Sequence, residues 1–248
     1  MAKVKAVILA AGKGTRMKSE LPKVIHTALG KPMVDYVIEA ARDAGAEKED
    51  ICLVVGHKAD LVKKTVGDGV NYVLQEEQLG TGHAVRCASD FIGEEGLTMV
   101  LCGDTPLITG STLKKLVETH IAEGNAITVL TAVVDDPTVY GRIIKDIWGK
   151  FVKIVEQKDA TLEEQRVDEI NSGIYVFDSA ILSKALGKLT NDNVQGEYYL
   201  TDTIEIVKSE GLGEVATMIV SDDNEIKGVN SPEQLEEAEE ILKARQSK

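Results

Sequence analysis

The first half of the chain alternates short β-branched runs with helical patterns, and no other feature constrains the fold as much. Val4–Leu9, Ile51–Val55, Val70–Leu74, Thr98–Cys102 and Ala126–Val134 read as strands. Helical segments fall between them: Pro32–Ala44 ending at Gly45, then Ala59–Val66, Thr81–Phe91, and Ser111–Glu123 stopped by Gly124. Strand–helix alternation predicts a mostly parallel sheet covered by helices on both faces. The second half breaks this rhythm. Arg142–Ile147 and Phe151–Glu156 flank Trp148-Gly149-Lys150 as an antiparallel hairpin. Asp159–Glu169 reads as a solvated loop or short helix, Ile174–Phe177 as a strand, Ser179–Leu186 and Tyr198–Glu210 as helices, and Val215–Val220 as a last strand. A terminal helix begins at Ser231-Pro232-Glu233, with a serine cap, proline in the first turn and acid at the positive end of the dipole. The expected class is α/β: a Rossmann-like mixed, mostly parallel sheet flanked by helices, with a small antiparallel lobe. The expected division is a domain over residues 1–230 and a C-terminal linker helix over 231–248.

Open sheets of this kind bind ligands beyond the carboxyl ends of their strands. The loop after the first strand is Leu9-Ala10-Ala11-Gly12-Lys13-Gly14-Thr15-Arg16-Met17. Its glycines let backbone amides approach an anion, and its cations add charge suited to a polyphosphate. A dinucleotide fingerprint would need a third glycine where Met17 stands, and a P-loop needs four residues between its glycines. Both common nucleotide loops are disfavoured, which leaves a third design. Lys23 extends the loop, so Arg16 and Lys23 are candidates to hold a pyrophosphate, one as a planar fork and one as a point charge. The chain carries a net charge of -13, which disfavours nucleic acid and anionic membranes as partners. An anionic substrate must therefore be met by a local basic cluster.

Asp104, in Cys102-Gly103-Asp104-Thr105-Pro106, ends a strand on the expected ligand edge and suits a hard cation such as magnesium. An Asx turn or helix cap explains it equally well in isolation. Asn230, in Gly228-Val229-Asn230, is a weak second oxygen donor. Gln75 opens a strand-to-helix segment through Gly80, Thr81 and Gly82 and can read a base edge. An ordinary capped helix start competes with that reading. His26, His57, His83 and His120 lack metal-ligand spacing, there is no nucleophile elbow, and all four read as structural. Cys52, Cys87 and Cys102 form no disulfide framework or zinc spacing. Free cysteines, and an N-terminus without a signal pattern, are expected of a cytoplasmic protein.

Together LAAGKGTRMKSELPK, QEEQLGTGHA, CGDTPL, YGRI, VEQKDA, EINSGIYVF, NVQGEYYLTD and GVNS resemble a known family. It is the uridyltransferase (pyrophosphorylase) domain of bacterial bifunctional uridyltransferase/glucosamine-1-phosphate acetyltransferases. The likeness runs from about Val4 to about Asn230. EINSG and NVQGEYYLTD are its most specific parts. It implies a nucleotide-diphospho-sugar transferase fold, with Leu9, Ala10, Ala11, Gly12, Gly14 and Thr15 around the nucleotide. Arg16 and Lys23 would act on the phosphates, and Gln75, Gly80 and Thr81 on uracil. Asp104 and Asn230 would hold Mg2+. Gly141, Glu156 and Asn171 match sugar contacts, and Thr201 a residue beside the sugar phosphate. Cys102 stands where some relatives carry tyrosine. The β-helix of hexapeptide repeats that carries acetyl transfer and builds the trimer is absent from these 248 residues, so neither is carried over and a monomer or weak oligomer is expected.

The implied reaction joins UTP and N-acetylglucosamine-1-phosphate into UDP-N-acetylglucosamine and pyrophosphate, a step toward cell-wall precursors. The nearest rival is a nucleotidyltransferase for another sugar-1-phosphate or base, and a more distant one is a silent nucleotide-sugar-binding domain. A dinucleotide-dependent oxidoreductase is weakened by the missing glycine.

Overall fold

A computed structural model describes residues 3–247; residues 1, 2 and 248, at the ends of the two expected spans, lie outside it. Chain order in the first half is β1 (Val4–Ala10), the two-residue strands β2 (Thr27–Ala28) and β3 (Lys31–Pro32), α1 (Met33–Asp43), β4 (Ile51–Val55), α2 (Ala59–Val66), β5 (Asn71–Leu74), α3 (Thr81–Cys87), α4 (Ser89–Ile92), β6 (Leu97–Cys102), α5 (Gly110–Glu123) and β7 (Ile127–Val133). The second half adds β8 (Arg142–Lys145), β9 (Phe151–Val155), β10 (Glu169–Asp178), α6 (Ser179–Leu186), α7 (Asp202–Ser209), β11 (Val215–Ile219) and α8 (Pro232–Gln246).

The main sheet runs β11-β7-β10-β6-β1-β4-β5, and β10 alone on this path runs against both of its neighbours. Every residue of β4 is buried, as a strand covered on both faces requires. Along β1 the period of two sends Ala6, Ile8 and Ala10 into one core and Val7 into the other. On α1, Val34, Val37, Ile38 and Ala41 face the sheet while Glu39 and Arg42 stay exposed, the 3.6-residue pattern of an amphipathic helix. Gly45, at φ +106°, follows the helix where a side chain would be strained.

After β1 the chain builds outward through β4 and β5, then returns to place β6 on the other side of β1. That reversal opens a crevice beyond the carboxyl ends of β1 and β6. The fold therefore delivers the Ala11–Lys23 and Gly103–Pro106 loops to the same place.

Three expectations need correction. Thr81–Phe91 is two helices, because the chain leaves helical geometry at Ala88 (φ -92°, ψ 13°) and the Ser89 hydroxyl takes the Arg86 carbonyl at 2.6 Å. α7 begins only at Asp202, because Tyr198 instead donates to the Leu79 carbonyl and accepts from Gly82, both at 2.8 Å. The strand expected at Ile174–Phe177 is the end of the ten-residue β10, which carries a bulge between Asn171 and Tyr175. The hairpin of β8 and β9 is present, and it hangs from the main sheet through Arg142 opposite Ile170 on β10.

α8 folds back on the domain, with Ala238 and Leu242 packed among Met17, Ala28, Met33, Leu107 and Val229. No helix among the described residues is long and apolar enough to cross a membrane.

Candidate active site

The crevice holds about 350 Å³ and is walled by Leu9, Ala10, Ala11 and Gly12 on one side and by Gln75, Gln78, Gly80, Thr81, Ala84 and Glu197 on the other, with Lys23, Val24, Cys102 and Asp104 at its base. Its shape follows from close backbone approaches. The Gly103 amide donates to the Leu9 carbonyl at 2.9 Å, and a Cβ at Gly103 would lie 2.8 Å from that oxygen. Met17 is buried with Met33 and Leu107, so the glycine loop is anchored by an apolar side chain at its far end.

Lys23 stands at the centre of the charged groups. Its ammonium donates to Asp104 Oδ2, and to Asn230 Oδ1 at 2.7 Å. The two oxygens come from distant parts of the sequence and meet on one cation. Backbone contacts bring them together: the Val229 amide donates to the Asp104 carbonyl at 2.8 Å, which fixes the Gly228–Asn230 turn against the end of β6. One carboxylate oxygen and one amide oxygen form the donor set a hard, partly hydrated cation accepts. Asp104 and Asn230 therefore fit magnesium. No group of three or more His, Cys, Asp or Glu residues suits a metal ion among the described residues.

Arg16 and Thr15 sit on the exposed outer turn of the loop, at its rim and off the crevice wall. Arg16 makes no side-chain hydrogen bond or ion pair among the described residues, so its guanidinium is available to an incoming anion. Gly14 lies behind the loop in the left-handed region (φ +62°), where a Cβ would stand 2.6 Å from Lys23 Cβ.

On the opposite wall Gln75 is 3% exposed, and its Nε2 donates to the Gly80 carbonyl at 3.1 Å. The same nitrogen lies 3.0 Å from His83 Nδ1. Thr81 Oγ1 accepts from the Leu200 amide at 3.1 Å, so the Tyr198–Leu200 segment is pinned to this wall. A Cβ on Gly80 would lie 2.6 Å from the Tyr198 carbonyl oxygen.

The four expected sugar residues lie outside the crevice wall, toward β10 and α7. Asn171 donates its backbone amide to the Gly141 carbonyl at 2.9 Å, and its side-chain amide donates to the Tyr175 hydroxyl at 2.7 Å. Next to Gly141 the Arg142 guanidinium is buried and donates to the Tyr140 carbonyl and to Gln157 Oε1, which stiffens that turn. Glu156 and Thr201 share a second cavity of about 380 Å³ and are joined by the Thr201 hydroxyl donating at 3.2 Å. Burial raises the Glu156 carboxyl above its ordinary range, and the Thr201 hydrogen bond opposes that shift. In the same cavity Asp202 is pushed up to about 6 by burial and by Glu205, Glu156 and Asp159. The two regions touch at the β10 bulge, where Gly173 (φ +79°) brings its Cβ position within 3.0 Å of Cys102 Sγ on the crevice floor. Burial, with Asp104 nearby, pushes the Cys102 thiol up to about 12, so it is a small neutral floor residue rather than a nucleophile.

Sequence reading passed over Gln78, Ala84, Val24 and Glu197 as crevice residues, and treated His83 as structural. Its contact with Gln75 carried a weak signal, because a histidine two residues into a helix behind a glycine turn sits near the turn's own polar residues. His120 matches its structural reading. It is buried against Thr128 Oγ1 at 3.0 Å, and burial lowers it to about 4.

A family model described as nucleotidyl transferase matches residues 5–223. The chain belongs to the nucleotidyl transferase family. Members of this family generally use a divalent metal. Among similar proteins is the bifunctional protein GlmU of Caldanaerobacter subterraneus subsp. tengcongensis, 54% identical over 245 residues, covering 99% of this chain and 53% of that protein. The bifunctional protein GlmU of Clostridium novyi is 55% identical, covering 97% of this chain and 52% of that protein. That of Clostridioides difficile is 52% identical over the same shares. The chain thus spans about half the length of the relatives it matches. A mixed, mostly parallel sheet with its crevice at the β1/β6 reversal is the architecture expected of a Rossmann-like nucleotidyl transferase.

Proposed function

We propose that this protein transfers a uridylyl group from UTP to N-acetylglucosamine-1-phosphate, forming UDP-N-acetylglucosamine and releasing pyrophosphate. The observation that carries this reading is the meeting of Lys23, Asp104 and Asn230 at the base of the β1/β6 crevice, which Gln75 also lines. Charge to neutralise phosphates lies at one end, and a group able to read a base lies at the other. The likeness to the first half of GlmU proteins supports the choice of nucleotide and sugar.

An oxygen of the sugar phosphate attacks the α-phosphorus, the new P–O bond forms, and the bond to the β-phosphate oxygen breaks as pyrophosphate leaves. A phosphate monoester has its second pKa near 6, so the attacking oxygen is ionised at neutral pH and needs no base. The barrier is repulsion between anions, so positioning and charge supply the catalysis. Arg16 and Lys23 are assigned to the triphosphate. Leu9, Ala10, Ala11, Gly12, Gly14 and Thr15 are assigned to the loop around it. Gln75, Gly80 and Thr81 are assigned to the uracil. Asp104 and Asn230 would hold Mg2+, which when bound neutralises phosphate charge. Gly141, Glu156, Asn171 and Thr201 are assigned to the sugar phosphate. Glu156 and Asn171 carry hydrogen-bonding groups suited to hydroxyls and an acetamide. Soluble cytoplasmic precursors would be its substrates.

The test is magnesium-dependent pyrophosphate release from UTP with N-acetylglucosamine-1-phosphate, run beside glucose-1-phosphate and beside dTTP, CTP and GTP. Preference for the first pair is expected. Equal or better turnover of glucose-1-phosphate would transfer the assignment to another sugar. No release with any pair would leave a binding domain.

A further inference from the structure

The Gln75 amide can face the nucleotide crevice in two ways, and its neighbours decide which. Its Nε2 lies 3.1 Å from the Gly80 carbonyl oxygen and 3.0 Å from His83 Nδ1. A backbone carbonyl only accepts, so the NH2 end of the amide must face Gly80. That nitrogen carries two hydrogens, and the second points to His83. His83 Nδ1 therefore accepts, and the ring proton sits on Nε2, which faces Cys87 Sγ at 3.8 Å. Both amide hydrogens are then used. The one hydrogen-bonding atom Gln75 has left for the crevice is Oε1, an acceptor.

Gly80 alone would not complete this arrangement. With His83 removed, one hydrogen of a nearly buried amide would have no partner, and such a group turns toward any acceptor within reach. The Gly80 carbonyl would then hold the amide by one hydrogen bond in place of two, so the flipped orientation, which sets Oε1 against that carbonyl, would be disfavoured by less. His83 is well placed to prevent this, because α3 holds it from below and the Tyr198 ring lies over it at 6.2 Å between centroids.

We propose that His83 is a positioning residue for base selection, locking the Gln75 amide with its oxygen toward the nucleobase. Resting on the uridylyl-transfer reading, this makes the site select a base with an N–H on its pairing edge. Uracil and thymine carry one at N3. Cytosine presents a bare N3 acceptor there and is opposed by Gln75 Oε1. The site would thus discriminate by what the base donates.

The experiment compares wild type with His83→Leu, His83→Asn and His83→Gln, using UTP, dTTP and CTP with N-acetylglucosamine-1-phosphate. It also records the Gln75 side-chain amide resonances by 15N NMR in the free protein. Loss of one orienting hydrogen bond should lower the UTP-over-CTP ratio of kcat/KM by roughly tenfold in His83→Leu, mostly through KM. The UTP-over-dTTP ratio should stay unchanged, because both bases present the same edge. His83→Asn sets an acceptor oxygen near the place of Nδ1 and should restore the ratio. His83→Gln reaches past that place and should not. One of the two Gln75 amide proton resonances should shift in His83→Leu. Should that variant fail to fold, the Asn and Gln variants decide the matter between them. An unchanged UTP-over-CTP ratio, equal rescue by Gln and Asn, or a uniform fall in kcat for all three nucleotides would overturn the proposal. Wild type that turns over none of the nucleotides defeats the uridylyl-transfer reading instead, and the Gln75 resonances then decide the positioning role alone.

Discussion

Gly12 and Gly14 stand two residues apart in the same loop, yet the structure gives them different reasons to be glycine. Gly14 sits at φ +62°, where a Cβ would lie 2.6 Å from Lys23 Cβ. Gly12 has no positive φ, and its Cβ position has nothing within 4 Å. Gly14→Ala therefore meets two costs. The left-handed conformation costs alanine about 1–2 kcal/mol. The Cβ contact must also open by about 0.8 Å to reach ordinary van der Waals distance, and the atom in the way is next to backbone. That movement falls on the residue whose ammonium meets Asp104 and Asn230. A misplacement near 1 Å costs on the order of 10²-fold in turnover. Gly14→Ala should lower kcat by about that factor and lower denaturant-unfolding stability by about 1–2 kcal/mol. Gly12→Ala should leave stability within about 0.5 kcal/mol of wild type and raise KM for UTP, because its Cβ intrudes only on the ligand's side. Steady-state kinetics and urea unfolding of both variants check this. Equal stability losses, or normal kcat in Gly14→Ala, would refute the argument that Gly14 shapes Lys23.

Arg16→Ala should keep the fold and its melting temperature, since the side chain is exposed and unpaired among the described residues, and should lose about 10²–10³ in turnover of UTP; a near-normal rate removes Arg16 from the phosphate site. Asp104→Asn should raise the magnesium concentration for half-maximal rate by about tenfold or more, and weaken Mn2+ binding measured by electron paramagnetic resonance; unchanged metal dependence removes Asp104 as a ligand. Asp202 titrates at about 6 in the folded chain against 3.8 unfolded, so the fold takes up a proton there and wild type loses stability as pH rises through 6. Asp202→Asn should therefore be the more stable protein at pH 7–8, by on the order of 1 kcal/mol once solvent screening of this half-buried group is allowed for, with the gain vanishing below about pH 4. Thermal melts across that range check the sign, and a gain that grows on acidification would reverse the assignment of burial and acidic neighbours as the cause.

The parallel half of the fold was legible because each strand there is a short β-branched run and each helix has an apolar stripe with a glycine stop. Local pattern and tertiary role agree from β1 through α5. β10 hides that agreement. Ile174–Phe177 looks the same in a parallel or an antiparallel sheet, and direction is set by how the chain returns, which the run itself does not encode. Its first residues, Glu169 and Asn171, are polar, so the strand's length was masked by the bulge that aims Asn171 at Tyr175. Tyr198–Thr201 misled in the other direction. Its composition suits a helix, but docking on Leu79, Thr81 and Gly82 satisfies its backbone and delays α7 to Asp202.

The site divides along the same line. The loop residues Leu9–Gly12 and the strand-end Asp104 were readable because a parallel sheet places every strand end on one edge, so knowing the fold was enough to know their neighbourhood. Lys23 and Asn230 lie 207 residues apart, and nothing local marks their meeting. The extended glycine loop pointed to Lys23, the Gly228–Asn230 turn pointed only weakly to Asn230, and the resemblance named both; the Val229–Asp104 backbone contact supplies the physical cause of their meeting, since it seats the turn before α8 against the end of β6. His83 went unread for the opposite reason. Its partner is only eight residues away, but the interaction depends on how the Gly80 turn folds the two segments together, and the φ of +106° that glycine permits there is invisible in a string of letters. Where a residue's function depends on a shared edge, sequence pattern suffices. Where it depends on one turn's conformation, only the coordinates reveal it.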